Sequence, residues 1–269
     1  MSDPRPIGVF DSGLGGLTVV RAIMDDLPAE PIAYVGDTAR FPYGPRPAEE
    51  IRRFAVQIAQ YLLTLDVKLI VVACNSATSA ALDQVTAAVP VPVVGVIEPA
   101  VRAAVRATRN RRVGLIVTEV TVSSGAYQRS FAESAPDVEM TARPCPRFVE
   151  FVERGDTTSV ELLDEAHRYL APLQDAAVDT MILGCTHYPL LRGAIRHVMG
   201  PDVLLLSSAD ETAADVYDIL AAKGLLSEAV ERPVHRFASS GDPERFAALG
   251  RRFLGPEVAG ALHVPFDEA

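Results

Sequence analysis

Along the chain, short runs of consecutive apolar, β-branched residues alternate with longer stretches in which apolar positions recur every three or four residues. The short runs read as strands at 7–10, 32–35, 69–73, 93–97, 113–117, 138–142, 180–184, 203–206 and 235–238. The clearest helix covers 47–65, where Ile51, Phe54, Ile58, Tyr61, Leu62 and Leu65 fall on one face. Further helices are expected to begin near Asn75, Pro99, Ser124, Arg147, Ser159, Pro189, Ala209 and Pro243. A strand that is apolar on both faces needs cover on both sides. The alternation therefore predicts mostly parallel, doubly wound sheets with helices on either face, an α/β fold.

A weak internal repeat divides this pattern. Leu69-Ile-Val-Val-Ala-Cys74 and Thr180-Met-Ile-Leu-Gly-Cys185 are both buried-strand patterns that close on cysteine, 111 residues apart. Ile7-Gly-Val-Phe10 and Val113-Gly-Leu-Ile116 share an apolar-Gly-apolar-apolar pattern, 106 residues apart. Each cysteine then comes third in a strand-helix series that restarts near residue 112. Two halves of like topology, the first ending near Ile97, account for both offsets, and right-handed crossovers make each half buildable from short connections. Chance likeness between two buried strands is the competing explanation.

Composition narrows the class. The 269 residues are 49% apolar and 22% charged, with a mean hydropathy of +0.18, values that fit a well-cored globular chain and exclude disorder and fibrous repeats. A net charge of -10 and a pI near 5.0 argue against nucleic acid or an anionic membrane as partner, since both require a concentrated positive surface. The three cysteines do not form the framework of a small disulfide-rich domain and point to a reducing compartment. No signal-peptide pattern opens the sequence, and the apolar stretch 87–97 is too short to span a bilayer and is broken by Pro90 and Pro92. A soluble, cytoplasmic protein is expected.

In open parallel sheets, ligands bind beyond the carboxyl ends of the strands. Cys74 and Cys185 both fall there, followed by Asn75, Ser76 and Thr78 in one case and by Thr186 and His187 in the other. A helix N-terminus and nearby N–H groups favour thiolate, so the pair could serve as two bases; a small buried hydrophobe is the bland alternative for any free cysteine. Cys145, between prolines, fits that alternative. His187 has three readings: an aid to the Cys185 thiol, a structural residue at a helix start, or, with Cys74 and Cys185, a Cys2His zinc set, for which no other ligand pair speaks. The loop Asp11-Ser-Gly-Leu-Gly-Gly16 lacks the third glycine of a dinucleotide fingerprint, because Thr18 stands there, and it has no Walker lysine. A carboxylate and a hydroxyl remain at a strand end beside glycines that permit close approach, unless Asp11 simply caps the next helix. The loop 36–45 either walls a pocket with backbone donors at Tyr43 and Gly44 or is a stiffened surface connection.

Four segments taken together, Ile7-Gly-Val-Phe-Asp-Ser-Gly-Leu-Gly-Gly-Leu17, Gly36-Asp-Thr-Ala-Arg-Phe-Pro-Tyr-Gly44, Ala73-Cys-Asn-Ser-Ala-Thr78 and Leu183-Gly-Cys-Thr-His-Tyr-Pro-Leu-Leu191, resemble the glutamate racemases of the aspartate/glutamate racemase superfamily. The likeness runs over nearly the whole chain and fades after about residue 225. It implies two pseudo-symmetric α/β domains, 1–98 with a returning 208–269 segment and 99–207, with the active site in the cleft between them. It further implies a homodimer, no cofactor, glutamate as the small-molecule substrate, and supply of D-glutamate for peptidoglycan. By the resemblance, Cys74 takes the α-proton of D-glutamate and Cys185 that of L-glutamate, assisted by Asp11 and His187 respectively. Ser12, Tyr43, Gly44, Asn75, Ser76 and Thr186 match substrate-holding positions, joined by Asp11, His187, Thr118 and Thr121, while Asp37 and Glu153 match secondary acidic positions. The chain departs from the family in Ser76, where threonine is usual, and in Val117, where glycine is common and positive φ is easier.

Inverting an α-carbon requires proton removal on one face and delivery on the other, which two thiols across a cleft can perform without an electron sink. Three alternatives stay open at this level: a sister racemase for aspartate or another amino acid, a cleft protein that only binds an amino acid, and the zinc hydrolase.

Overall fold

The computed structural model describes residues 2–266. In the first half β1 (Ile7–Asp11), α1 (Leu17–Asp26), β2 (Ile32–Gly36), α2 (Ala48–Thr64), β3 (Leu69–Val72), α3 (Asn75–Ala88) and β4 (Val93–Gly95) follow one another. After α4 (Ile97–Ala107) come β5 (Arg112–Val117), α5 (Glu119–Ser124), α6 (Ala126–Ser134), β6 (Glu139–Pro144), α7 (Arg147–Glu153), α8 (Val160–Asp175), β7 (Thr180–Leu183), α9 (Arg192–Met199) and β8 (Leu204–Ser207). Next are α10 (Ser208–Lys223), β9 (Arg236–Ser239), α11 (Pro243–Leu254) and β10 (Leu262–His263).

Two parallel sheets result, ordered β10-β9-β2-β1-β3-β4 and β6-β5-β7-β8. Without β9 and β10, which extend the first sheet at the β2 edge, the strand orders are the same, and this accounts for the repeat. Gly8 in β1 lies opposite Ala33 and Ile70, and Gly114 in β5 lies opposite Thr141 and Met181. A Cβ on Gly8 would stand 3.1 Å from Val67 Cγ1, and one on Gly114 would stand 2.9 Å from Leu173 Cδ2. The shared glycine thus lets an apolar side chain close on the middle of each sheet. β3 and β7 hold equivalent places beside the central strand, so Cys74 and Cys185 follow equivalent strand ends.

Alternate residues of each strand feed different layers. Ile7 and Val9 face α1 and α10 at Val20, Ile23, Val216 and Leu220, whereas Phe10 faces α2 at Ile58 and Leu62. In the second sheet Met181 and Leu183 meet Leu170 and Ile195, while Ile182 meets Ile97, Val101 and Phe131. Each such side chain taken fully from water contributes roughly 1.5–3 kcal/mol. Two-sided burial is the physical reason these strands read as unbroken apolar runs.

Several boundaries differ from the pattern-based expectation. β4 stops at Gly95, where a Cβ would come 2.6 Å from Thr78 Cγ2, and α4 opens at Ile97. Pro99 sits in the first turn of α4, where its missing N–H costs no bond. The stretch around Ser124 is two helices parted by Gly125 at φ +68. Tyr188–Leu191 forms a 3-10 turn, so α9 begins only at Arg192. α1 and β10 are additional: the first follows a loop dominated by glycine, and the second is two residues long.

Candidate active site

Cys74 and Cys185 line one cleft of about 410 Å³ between the two halves, with Ser12, Tyr43, Gly44, Asn75, Ser76, Thr118, Thr186, His187 and Glu153 also on its walls. Cys74 is the N-cap of α3: its Sγ accepts the Ala77 N–H at 3.5 Å, and its thiol donates to Ser12 Oγ at 3.7 Å. Cys185 lies 3.9 Å from His187 Nδ1, and His187 Nε2 lies 2.8 Å from Glu153 Oε1. Among the described residues no group of three His, Cys, Asp or Glu is arranged to hold a metal, so the Cys2His set is not assembled.

Asp11, Asp37 and Thr121 stand behind the walls rather than on them. Asp11, fully buried at the end of β1, accepts the Gly13 N–H at 2.8 Å and the Thr186 hydroxyl at 3.2 Å. It therefore ties the glycine-rich loop of one half to the Cys185 loop of the other. That tie needs a close approach: a Cβ on Gly15 would fall 2.2 Å from Thr186 Oγ1 and 2.7 Å from His187 Nδ1. Asp37 holds the loop 36–45 from outside the cleft, accepting from Arg40 Nε at 2.7 Å, from the Ser240 hydroxyl at 2.7 Å and from the Tyr43 hydroxyl. Tyr43 and Gly44 are thereby set on the cleft wall, which excludes a plain surface connection.

Ser76 Oγ, Thr118 Oγ1 and Thr121 Oγ1 form a hydroxyl chain across the halves, with spacings of 2.9 and 3.0 Å. Val117 does not disturb it. The residue is regular strand, paired with Pro144, and its Cγ1 would stand 2.4 Å from a Cβ on Gly184, so the glycine before Cys185 makes room for the valine. Beside this chain, Asn75 Oδ1 accepts the Tyr127 hydroxyl at 2.7 Å, while Asn75 Nδ2 is buried with no partner among the described residues.

Electrostatics separate the two thiols. Burial and the Asp11 carboxylate push the Cys74 thiol up to about 12, outweighing the Ala77 N–H and Ser12. The thiolate expected of a helix N-terminus is therefore not what this site favours at Cys74. Burial also raises Asp11, against the pull of His187 and of the Gly13 and Gly16 N–H groups. His187 behaves oppositely: burial disfavours its charge, yet Cys185 and Glu153 raise it to about 10. One thiol thus sits by a carboxylate and the other by an imidazolium. Cys145 lies outside the cleft, fully buried, its thiol raised by burial, with Sγ 3.7 Å from Arg143 O.

Phe41, Val149 and Glu150 also line the cleft, and Tyr127 backs it. Sequence reasoning singled out none of these for chemistry: Phe41 falls within the 36–44 segment but has no reactive group, and an apolar, phenolic or acidic residue in the early turns of α6 and α7 carries no motif.

Residues 8–216 match the Asp/Glu/hydantoin racemase family, and the chain belongs to that family. It is 58% identical over 254 residues to a glutamate racemase of Acidothermus cellulolyticus, covering 94% of this chain and 96% of that one. A glutamate racemase of Parafrankia is 55% identical, over 97% of this chain and 94% of the relative. Among solved structures, a glutamate racemase from Francisella tularensis in complex with D-glutamate superposes with a TM-score of 0.92 at 36% identity, over 99% and 100% of the two chains. An aspartate racemase from Picrophilus torridus shares the fold with a TM-score of 0.59 at 16% identity. Within the family, the chain groups with the glutamate racemases.

Proposed function

We propose that this protein interconverts L- and D-glutamate without a cofactor, by proton transfer between Cys74 and Cys185. The observation that carries the reading is that the two thiols, at equivalent strand ends of the two halves, line one cleft, each backed by its own acid/base group. A cleft of about 410 Å³ suits a small ligand. In the L-to-D direction the Cys185 thiolate, paired with the His187 imidazolium, takes the α-proton as the C–H bond breaks. The Cys74 thiol then delivers its proton to the opposite face and is left as thiolate. Reversal needs Cys74 as the base, and protonation of Asp11 removes the charge that holds it as thiol.

The carbanion has no electron sink, so its charge rests on donors already in place. The Ser76 and Thr118 hydroxyls and the N-terminus of α3 supply them, and one such donor is worth about 2.7–4 kcal/mol, while Asn75 holds a substrate carboxylate alike in the ground and transition states. They act at short range inside the cleft, whereas the surface charges that make up the net -10 are screened over about 8 Å. Substrate positions at Ser12, Tyr43, Gly44 and Thr186, the two-unit division 1–98 with 208–269 and 99–207, a cytoplasmic homodimer, and D-glutamate supply for peptidoglycan complete the proposal.

Purified protein with no added cofactor should racemise either enantiomer of glutamate and exchange the α-proton with deuterated solvent. Faster turnover of aspartate would reassign the substrate, and glutamate binding without exchange would return the protein to a binding role.

The raised His187 also sets a pH dependence. A group whose folded value lies above its unfolded 6.5 stabilises the fold fully below that value, and the contribution is lost as pH rises through about 10. Activity that needs the imidazolium should fall over the same alkaline limb. Glu153→Gln removes a charge-assisted hydrogen bond of roughly 1.5–3 kcal/mol and should move the limb down by about one to two pH units. A limb left in place in the kcat/KM profile of that variant would detach Glu153 from His187 ionisation.

A further inference from the structure

We propose that Tyr127, a residue of the second half outside the thiol machinery, is a positioning residue that orients the Asn75 carboxamide so that its N–H2 group faces the cleft as a donor to a substrate carboxylate. The inference rests on the glutamate racemase reading above and adds to it a residue that touches no substrate. Gly125, at φ +68, ends α5 and starts α6, placing Tyr127 in the first turn of α6. There its ring packs among Ile97, Val101, Val117 and Phe131, with no exposed surface. From this apolar bed the hydroxyl reaches across to the other half and donates to Asn75 Oδ1 at 2.7 Å.

A carboxamide has two nearly isosteric orientations, and the hydrogen-bond network decides between them. Were the amide reversed, Tyr127 would accept from Nδ2, and its own O–H would be buried with no acceptor. That cost selects the orientation in which Tyr127 donates. Burial also keeps the phenol far above its ordinary titration range, so it stays a donor at every working pH. Nδ2 is then left buried and unpartnered, on a residue that lines the cleft. A buried donor without a partner calls for an acceptor, and a substrate carboxylate supplies one. The phenol fixes which end of Asn75 the substrate meets, and it does so from the opposite half, so the donor is fully oriented only when the halves are assembled.

The test is a double-mutant cycle on the full-length enzyme, reading KM and kcat for both glutamate enantiomers. Tyr127→Phe keeps the ring and its packing and removes only the hydroxyl; KM should rise about fivefold, with kcat changed less, as one lost orienting hydrogen bond predicts. Asn75→Ala should raise KM further, and the double variant should be no worse than Asn75→Ala alone, because Tyr127 acts only through Asn75. Partial misfolding would instead lower apparent kcat at constant KM. Asn75→Asp supplies a second readout: with Tyr127 donating to one oxygen, the other turns toward the substrate carboxylate, so KM should rise more than in Asn75→Ala. Multiplying single effects in the double variant, an unchanged KM in Tyr127→Phe, loss of kcat alone, or a milder Asn75→Asp than Asn75→Ala would each overturn the assignment. Wild-type enzyme that fails to racemise glutamate would overturn the functional reading instead.

Discussion

Cys74→Ala and Cys185→Ala should each lower racemisation in both directions by about 10³-fold, the scale of losing one acid/base partner. The two variants should differ in what they retain. With Cys74 gone, Cys185 keeps His187 at 3.9 Å, and His187 keeps Glu153 at 2.8 Å. That face can still remove and return a proton, so deuterium should enter L-glutamate without inversion. With Cys185 gone, the remaining thiol is held up at about 12 by burial and Asp11, so exchange into D-glutamate should be the slower of the two residual reactions. Cys145→Ala serves as the control: the thiol is buried away from the cleft, and the change should touch stability alone. Proton NMR in deuterated solvent, with chiral separation of product, reads all three. Full racemisation by either single variant would end the two-thiol mechanism.

Much of the scaffold behind this prediction is legible in the sequence, because two-sided burial writes itself into β1, β3 and β7 as unbroken apolar runs. The thiols are legible for a related reason: each ends such a run and is followed by polar residues, a placement with a known use in parallel sheets. What pattern reading misses arises from contacts between distant residues. Tyr127 and Asn75 are 52 positions apart, and Thr186 and Asp11 are 175 apart. Neither Tyr127 nor Thr186 carries any local mark of its partner. The state of Cys74 is hidden likewise. Its helix N-terminus can be read from the sequence, but the burial and the Asp11 charge that outweigh it come from tertiary assembly. Asp37 also changes meaning once its partners are seen, since it acts on Arg40, Tyr43 and Ser240 and thereby shapes the cleft from behind.

Gly15→Ala should cost about 10²-fold in kcat/KM in both directions, the scale of displacing a catalytic group by an ångström or so. Backbone strain is not the reason, for Gly15 is not among the glycines at positive φ. The reason is contact. The added methyl would occupy space 2.2 Å from Thr186 Oγ1 and 2.7 Å from His187 Nδ1, so the two loops must part or both side chains must turn. Turning Thr186 releases Asp11, which loses a hydroxyl that favours its charge. Turning His187 weakens both its hold on Cys185 and its pairing with Glu153. One methyl therefore strikes the acid/base supports of both thiols without touching either sulfur. Overpacking of this kind should also lower unfolding free energy by about 1–3 kcal/mol. Gly193→Ala separates crowding from composition: Gly193 lies in α9 with nothing within 4 Å of an added Cβ. That variant should keep full activity and gain roughly 0.5–1 kcal/mol from alanine's better helix propensity. Kinetics in both directions and denaturant midpoints on the two variants check the argument. Wild-type turnover by Gly15→Ala would mean that the glycine loop and the Cys185 loop can separate without disturbing the acid/base pair.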